Sequence, residues 1–228
     1  MTAGEAGSTD YINASFLNSY STKSGYITTQ MPLPQTVGDL WRMTYDYNAT
    51  CIVMLNSMND KTFASYLPTG DEPTTVGPLS IILESTDQLE NGITMRTLKL
   101  TNQKMKEFRK IRHLQLSNWP DVSGVPASPK SALQAVTAVH QWQKDHGNED
   151  RVIVHCIDGV RASGTFCALL NIIAKLNDGN IVDVYRAVMK IKGTRAGMVP
   201  SLEHYSFLYG AVQSHLDTNI VYENLEVF

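Results

Sequence analysis

The chain has 228 residues, of which 43% are hydrophobic and 18% charged, and its formal net charge is −3. This composition is typical of one globular domain. With a net negative charge, the chain has no overall positive field that would attract it to nucleic acids or anionic membranes. No apolar run approaches the roughly 20 residues that span a bilayer, and the small, polar start predicts no secretion signal.

In chain order, the first half of the sequence predicts short strands and loops within 10–50, a helix over 35–45, and strands over 51–55, 79–83, 93–100 and 112–116. The run at 51–55 is continuously apolar, so this strand is expected to be buried on both faces. The turn residues Glu90, Asn91 and Gly92 separate two of the strands.

The second half predicts an amphipathic helix over 129–144, a core strand over 152–154, and helices over 163–176, 181–191 and 202–215. Strands and helices are mixed along the chain, and no internal repeat is visible. The predicted fold class is therefore α/β: a single domain with a central twisted mixed sheet flanked by helices on both faces.

The segment from Val154 to Gly164 runs from a strand through a cysteine and a glycine-containing loop into a helix. That arrangement directs successive backbone N–H groups, and the positive end of a helix dipole, at one point, and so forms a cradle for phosphate. A cysteine in such a cradle, here Cys156, is expected to have a lowered pKa and to act as a thiolate nucleophile.

Several blocks, in order, resemble the protein tyrosine phosphatase family over nearly the whole chain. They are residues 10–15, 30–34, 39–43, 119–121, 124–126 and 154–164. The resemblance implies that Cys156 is the nucleophile and Asp121 the general acid. It places phosphate against the loop of His155, Ile157, Asp158, Gly159, Val160, Arg161, Ala162 and Ser163. Residues 1–228 are then one such domain, expected to lack the family's N-terminal segment.

Three loop residues depart from the family signature, in which five residues separate the cysteine from an arginine. That arginine position holds Ala162, whereas Arg161 stands where the family has glycine. A planar guanidinium holds two phosphate oxygens as a fork, so a shift by one residue disrupts the clamp. Asp158 replaces the usual alanine and places a carboxylate beside the expected dianion, which is electrostatically unfavourable.

Departures also occur outside the loop. Pro200 and His204 stand where the family has a pair of glutamines that position the hydrolytic water, and one residue is inserted between Asp121 and Gly124. These losses resemble the membrane-distal second domain, a pseudophosphatase domain, of receptor-type tyrosine phosphatases. The Trp-Pro-Asp triplet that ends at Asp121 is often degraded in such domains and is whole here.

The sequence therefore predicts an inactive or impaired phosphatase-like domain that regulates or binds a protein, with the adjacent catalytic domain of a tandem receptor as one candidate partner. Two alternatives stay open: residual cysteine-dependent activity, with Arg161 reaching the phosphate, and a redox sensor at Cys156. No cofactor, metal, nucleic acid or direct membrane insertion is predicted. The three cysteines are too few for a disulfide framework, which indicates a cytoplasmic location.

The remaining cysteines and histidines are assigned structural roles. Cys51 and Cys167 lie within apolar runs and are expected in the core. His155 is expected to hydrogen-bond the loop backbone, as the family resemblance implies. His113 and His140 have no clustered partners in the sequence and are expected to be surface or interface groups.

Overall fold

The computed structural model describes residues 11–57, 64–70, 72–120, 124–146 and 150–225. Within these ranges the strands are β1 (Ala14–Leu17), β2 (Tyr26–Gln30), β3 (Ala49–Met54), β4 (Thr74–Val76), β5 (Leu79–Leu89), β6 (Ile93–Asn102), β7 (Glu107–Leu116) and β8 (Arg151–Cys156). The α-helices are α1 (Val37–Asp46), α2 (Lys130–His146), α3 (Arg161–Gly179), α4 (Val184–Thr194) and α5 (Leu202–Leu225). None of the helices in the described ranges combines the length and the apolar character needed to cross a membrane.

All of these strands form one sheet in the order β1-β2-β8-β3-β7-β6-β5-β4. Strands β2, β8, β3 and β7 are parallel neighbours, whereas the outer pairs are antiparallel. Strand β3 lies near the centre of the sheet and is buried at every residue. The predicted central mixed sheet is confirmed, and the continuously apolar run is buried because the sheet is covered on both sides.

Helices pack on both faces of the sheet, as predicted. Along β3, Cys51 and Val53 belong to the hydrophobic cluster formed with α2, α3, α4 and α5, whereas Ile52 and Met54 belong to the cluster formed with α1. This alternation follows from the two-residue period of a strand. Cys51 and Cys167 are fully buried, which confirms their assignment to the core.

Element boundaries differ from the prediction where the deciding residues are polar or exposed. Strand β5 continues to Leu89 through residues that mostly face solvent and so give no apolar signal. Helix α4 begins at Val184, not at 181, because the Asp183 carboxylate accepts the N–H of Arg186 at 3.0 Å and caps the helix. The three-residue edge strand β4 has no counterpart among the predicted strands, since so short a segment carries little pattern.

The end of β8 places Cys156 at the carboxyl edge of the parallel strands, followed directly by the loop into α3. Ligand sites of α/β sheets form at this edge. Gly159 has a φ of +69°, and a Cβ there would lie 2.3 Å from the carbonyl carbon of Thr29. A Cβ on Gly164 would lie 2.6 Å from Cβ of Met198. Because neither glycine has a side chain, the loop and α3 can approach the backbone at Thr29 and the side chain of Met198 closely.

Candidate functional site

The Cys156 side chain lies at the base of the loop and is only 4% exposed. The Ser163 hydroxyl donates to its Sγ atom at 3.1 Å, and the thiol itself donates to Oδ1 of Asp158 at 3.2 Å. The carbonyl of Ile157 accepts the N–H of Met31 at 3.4 Å and ties the loop to the end of β2. The structure thus brings the predicted nucleophile, Ser163 and Asp158 into direct contact.

The Asp158 carboxylate accepts hydrogen bonds from the donors that surround Cys156. Its Oδ1 accepts the backbone N–H groups of Val160 at 2.9 Å and Arg161 at 3.1 Å. The carboxylate therefore lies where the sequence placed an incoming phosphate, against the sulfur and the N–H groups at the start of α3. It also explains why α3 begins at Arg161, two residues before the predicted start, because these N–H groups are already satisfied.

The side chain of Arg161 is committed to the same carboxylate. Its Nε donates to Oδ2 of Asp158 at 2.5 Å, and the two side chains are 40% and 31% exposed. Ala162, where the family signature has arginine, is only 8% exposed and contributes no cation. The loop therefore has one guanidinium, which neutralises an internal anion.

Burial and Asp158 act together on the thiol. Burial raises the pKa of Cys156; the Ser163 hydroxyl opposes this shift, and the Asp158 charge adds to it. The expectation of a lowered pKa at Cys156 is therefore wrong, because burial of the thiol, with the Asp158 charge added, outweighs the hydrogen bonds from Ser163. Partial burial tends to raise the pKa of Asp158, but hydrogen bonds from the Val160 N–H and the Arg161 side chain outweigh it and hold that pKa below its usual value.

The two positions at which the family has glutamines lie at the start of α5 and just before it. Pro200 is exposed and has no side-chain amide, and it follows Val199, whose φ of 49° is left-handed. His204 is 3% exposed, and its Nδ1 lies 2.8 Å from Oγ of Ser201. Burial lowers the pKa of His204, so its imidazole is neutral near pH 7. Neither residue supplies the amide that orients a hydrolytic water.

The histidine next to the cysteine does not bind the loop backbone, so that expectation is wrong. Nε2 of His155 lies 2.7 Å from the Tyr66 hydroxyl, and Nε2 of His113 lies at the same distance from that hydroxyl. One guanidinium N–H of Arg96 points to Nδ1 of His113 at 3.5 Å. Nδ1 of His155 is buried without a hydrogen-bond partner among the described residues.

The Tyr66 hydroxyl joins two histidines from different strands into one buried cluster. His113 is fully buried, which contradicts its assignment to the surface. His140 is half-buried against α3, and burial lowers its pKa to about 4. Burial likewise lowers the pKa of His155 to about 3, so the imidazoles of His140 and His155 are both neutral near pH 7. No local sequence signal identifies Tyr66, because its two partners lie on distant segments.

The candidate general acid, Asp121, lies outside the described residues. The preceding Trp119 is 2% exposed and packs edge-on against Phe166 of α3 and Phe207 of α5. Across the described part of the chain, no group of three His, Cys, Asp or Glu side chains could hold a metal ion. Trp119, two residues before Asp121 in the sequence, is packed against two of the helices around the site.

Comparisons with known proteins find related sequences over most of the chain. A family model described as "Protein-tyrosine phosphatase" matches residues 2–214. The chain is 34% identical over 221 residues to human receptor-type tyrosine-protein phosphatase alpha, covering 96% of this chain and 27% of that protein. It is 36% identical over 227 residues to human receptor-type tyrosine-protein phosphatase epsilon, covering 96% and 32%. The chain thus spans about a third or less of these relatives' length.

A solved structure gives the same result for the fold. The catalytic domain of human protein tyrosine phosphatase non-receptor type 18 superimposes with a TM-score of 0.83 at 31% sequence identity. The match covers 92% of this chain and 75% of that chain. The likeness therefore extends over nearly all of the sheet and its flanking helices.

Proposed function

Because this chain belongs to the protein tyrosine phosphatase family, we propose that it is a member that has lost phosphatase activity and acts as a regulatory or protein-interaction module. The observation that carries the proposal is the position of the Asp158 carboxylate. It lies 3.2 Å from the Cys156 sulfur and takes two N–H groups of the loop. A substrate phosphate requires the same donors.

Electrostatics oppose a phosphate in this loop. Two like charges about 4 Å apart repel by roughly 4 kcal/mol at an effective dielectric constant of about 20, before the ion pair of Asp158 with Arg161 reduces that repulsion. Binding would also have to break the hydrogen bonds that hold Asp158. The arginine fork that would offset this cost is absent, since its position is Ala162.

The two alternatives have less support. For residual activity, Arg161 would have to leave Asp158, to which its Nε donates at 2.5 Å. For a redox sensor, Cys156 would need an accessible thiolate, whereas the side chain is buried and its pKa is raised by that burial.

The two curated relatives described above are receptor-type phosphatases, and we place this domain at the membrane-distal position of such a receptor, on its cytoplasmic side. The replacements at Asp158, Arg161, Ala162, Pro200 and His204 support that placement, since they remove catalytic groups and leave the hydrophobic clusters intact. The partner we favour is the adjacent catalytic domain, because a silent domain can act on activity only through a neighbour.

The test is hydrolysis of an aryl phosphate by the purified protein, compared with its Cys156→Ser variant and with an active relative. We expect the unchanged protein and the variant to be indistinguishable. Turnover within about tenfold of the active relative, a difference of about 1.4 kcal/mol in barrier, would overturn the proposal if Cys156→Ser abolishes it.

A further inference from the structure

A second recess lies at the opposite end of the sheet from Cys156. Strand β1 ends at Leu17, which pairs with Tyr26, and Tyr26 pairs with Val152 near the start of β8, whereas Cys156 ends β8. Beyond that end, the chain after β1 and helices α3 and α4 enclose a cleft of about 440 Å³, which we call the rear cleft. Its polar lining residues include Asn18, Tyr20, Asn171, Lys175, Arg186 and Lys190.

The rear cleft is basic, although the chain as a whole is acidic. Within the described ranges, three cations line it, Lys175 from α3 and Arg186 and Lys190 from α4, against one lining carboxylate, that of Asp183. A second carboxylate, that of Asp178, lies beside the cleft and accepts the hydroxyl of Tyr20 at 2.7 Å. Lys175 and Arg186 share that carboxylate at 3.5 and 3.4 Å, and it also caps α4. Among the described residues, Lys190 has no ion-pair partner. Arg186 and Lys190 are four residues apart, so they lie on one face of α4.

One lining side chain, that of Asn171, is held by a hydrogen bond within the chain. The Asn171 side chain donates from Nδ2 to the carbonyl of Asn18 at 3.0 Å, but its Oδ1 is buried without a hydrogen-bond partner among the described residues. Buried acceptors of this kind are normally satisfied. That oxygen is shielded from a ligand in the cleft, so the cations alone make the lining suitable for a negatively charged ligand.

The outer surface of α4 is apolar beside these cations. Tyr185 and Met189, each next to one of them in sequence, are 62% and 49% exposed. Exposed aromatic and methionine side chains next to arginine are the composition enriched in protein interfaces. A small anion would leave this surface uncovered, but a polypeptide would cover it.

From these features we propose that the rear cleft docks an acidic peptide segment of a partner protein. Carboxylate or phosphorylated side chains would pair with Arg186 and Lys190 at the rim of the cleft. This inference rests on the proposed function and deepens it, because it names the chemistry of the partner that an interaction module would bind.

The experiment measures binding of fluorescein-labelled hexaglutamate to the purified protein by fluorescence anisotropy, with labelled hexaglutamine as the neutral probe. The test variant is Arg186→Glu combined with Lys190→Glu, whose side chains face solvent at the rim. The matched control is Lys104→Glu combined with Lys106→Glu, which makes the same charge change in the exposed turn before β7. Circular dichroism checks that both variants fold.

We expect hexaglutamate to bind more tightly than hexaglutamine, and the affinity for hexaglutamate to fall by at least about tenfold in the cleft variant but by less than about twofold in the control. Binding should weaken as salt is added, since partly exposed charges are screened. Equal losses in both variants, or no preference for hexaglutamate, would overturn the proposal.

Two competitors distinguish the source of the negative charge. A phosphotyrosine-containing acidic peptide that displaces hexaglutamate at lower concentration than its unphosphorylated form identifies a phosphorylated segment, which is within the proposal. Displacement by inorganic phosphate, or by vesicles of anionic phospholipid, at equal charge concentration would refute a peptide site. The phosphatase assay does not involve the rear cleft, so failure here leaves the result for Cys156 unaffected and the two failures can be told apart.

Discussion

The side chain of Arg161 donates from Nε to Oδ2 of Asp158 at 2.5 Å, so two residues that depart from the family signature satisfy each other. The pair lies three residues apart at the start of α3, next to the Cys156 sulfur. Because each partner neutralises the other in a half-buried site, replacing one leaves the other uncompensated. Substitutions at the two positions should therefore not be additive.

Anion binding should be weak in the unchanged protein and should increase when the internal carboxylate is removed. In Asp158→Ala, two N–H groups and the Arg161 guanidinium lose their anion, so vanadate should bind at least about tenfold more tightly than to the unchanged protein. Isothermal titration calorimetry measures this. Asp87→Ala, an exposed site far from the loop, controls for net charge and should bind like the unchanged protein. Micromolar vanadate binding before any substitution would contradict the prediction.

Phosphatase activity should be restored only by several changes together. The variant carries Asp158→Ala, Arg161→Gly, Ala162→Arg, Pro200→Gln and His204→Gln, which return the phosphate clamp and the water-positioning amides. Single reversions should do little, because catalytic groups that act as a unit are strongly non-additive. Hydrolysis of an aryl phosphate is the measurement, and the fivefold variant should exceed the unchanged protein by at least about a hundredfold, since one oxyanion donor alone is worth about that much.

The restored activity has its own controls. Adding Cys156→Ser, or Asp121→Asn, to the fivefold variant should remove the gain, since these are the nucleophile and general acid that the family resemblance implies. If the fivefold variant folds and binds vanadate but shows no turnover, the five replaced groups do not explain the absence of phosphatase activity. The residue inserted after Asp121 would then be the next position to change.

The thiol of Cys156 should respond to its two neighbours in opposite directions. Asp158→Asn removes a charge that raises the Cys156 pKa, so iodoacetamide should alkylate Cys156 faster at neutral pH. Ser163→Ala removes a donor that lowers the pKa, and alkylation should slow. Mass spectrometry reports each site separately. Cys51 and Cys167 are fully buried, and burial raises the pKa of Cys51 to about 12 and that of Cys167 further, so both should label after Cys156 in all variants. Equal rates at Cys51 and Cys156 would refute the prediction.

Stability should fall between pH 7 and pH 5.5 because buried histidines cannot be protonated in the folded state. Burial lowers the pKa of His155 to about 3 and of His140 to about 4, whereas both return to about 6.5 on unfolding. Below about pH 6.5 the unfolded chain therefore binds more protons, and stability decreases as the pH falls. Each histidine contributes a slope of about 1.4 kcal/mol per pH unit once the unfolded chain is protonated.

Urea denaturation at pH 7 and pH 5.5 measures this decrease in the free energy of unfolding. The variant His140→Gln measures how much of the decrease comes from His140. The variant should lose about 1 kcal/mol less than the unchanged protein over this interval, because one proton-linked site is gone. A solvent-exposed histidine would give no such difference. An unchanged pH dependence in His140→Gln would show that its imidazole is not held neutral by burial.

The order and type of the long elements follow from sequence. The continuous apolar run in β3 predicted a strand covered on both sides, and the periodicity of 129–144 predicted α2, since both patterns reflect which faces are buried. The extension of β5 to Leu89 was beyond such reasoning, because its exposed residues are fixed by pairing with β6 and not by burial. The Asp183 cap of α4 could be predicted from the sequence, since aspartate is a favoured capping residue.

The sequence alone determined that the loop lacks its arginine and carries an additional carboxylate, because both are positions in a motif. Only the tertiary structure decided what those residues do. The ion pair between Asp158 and Arg161, the raised pKa of Cys156 and the Tyr66 bridge between two histidines depend on distances and burial created by packing. Electrostatic energies vary with separation and solvent access, and neither is encoded in a residue's position along the chain.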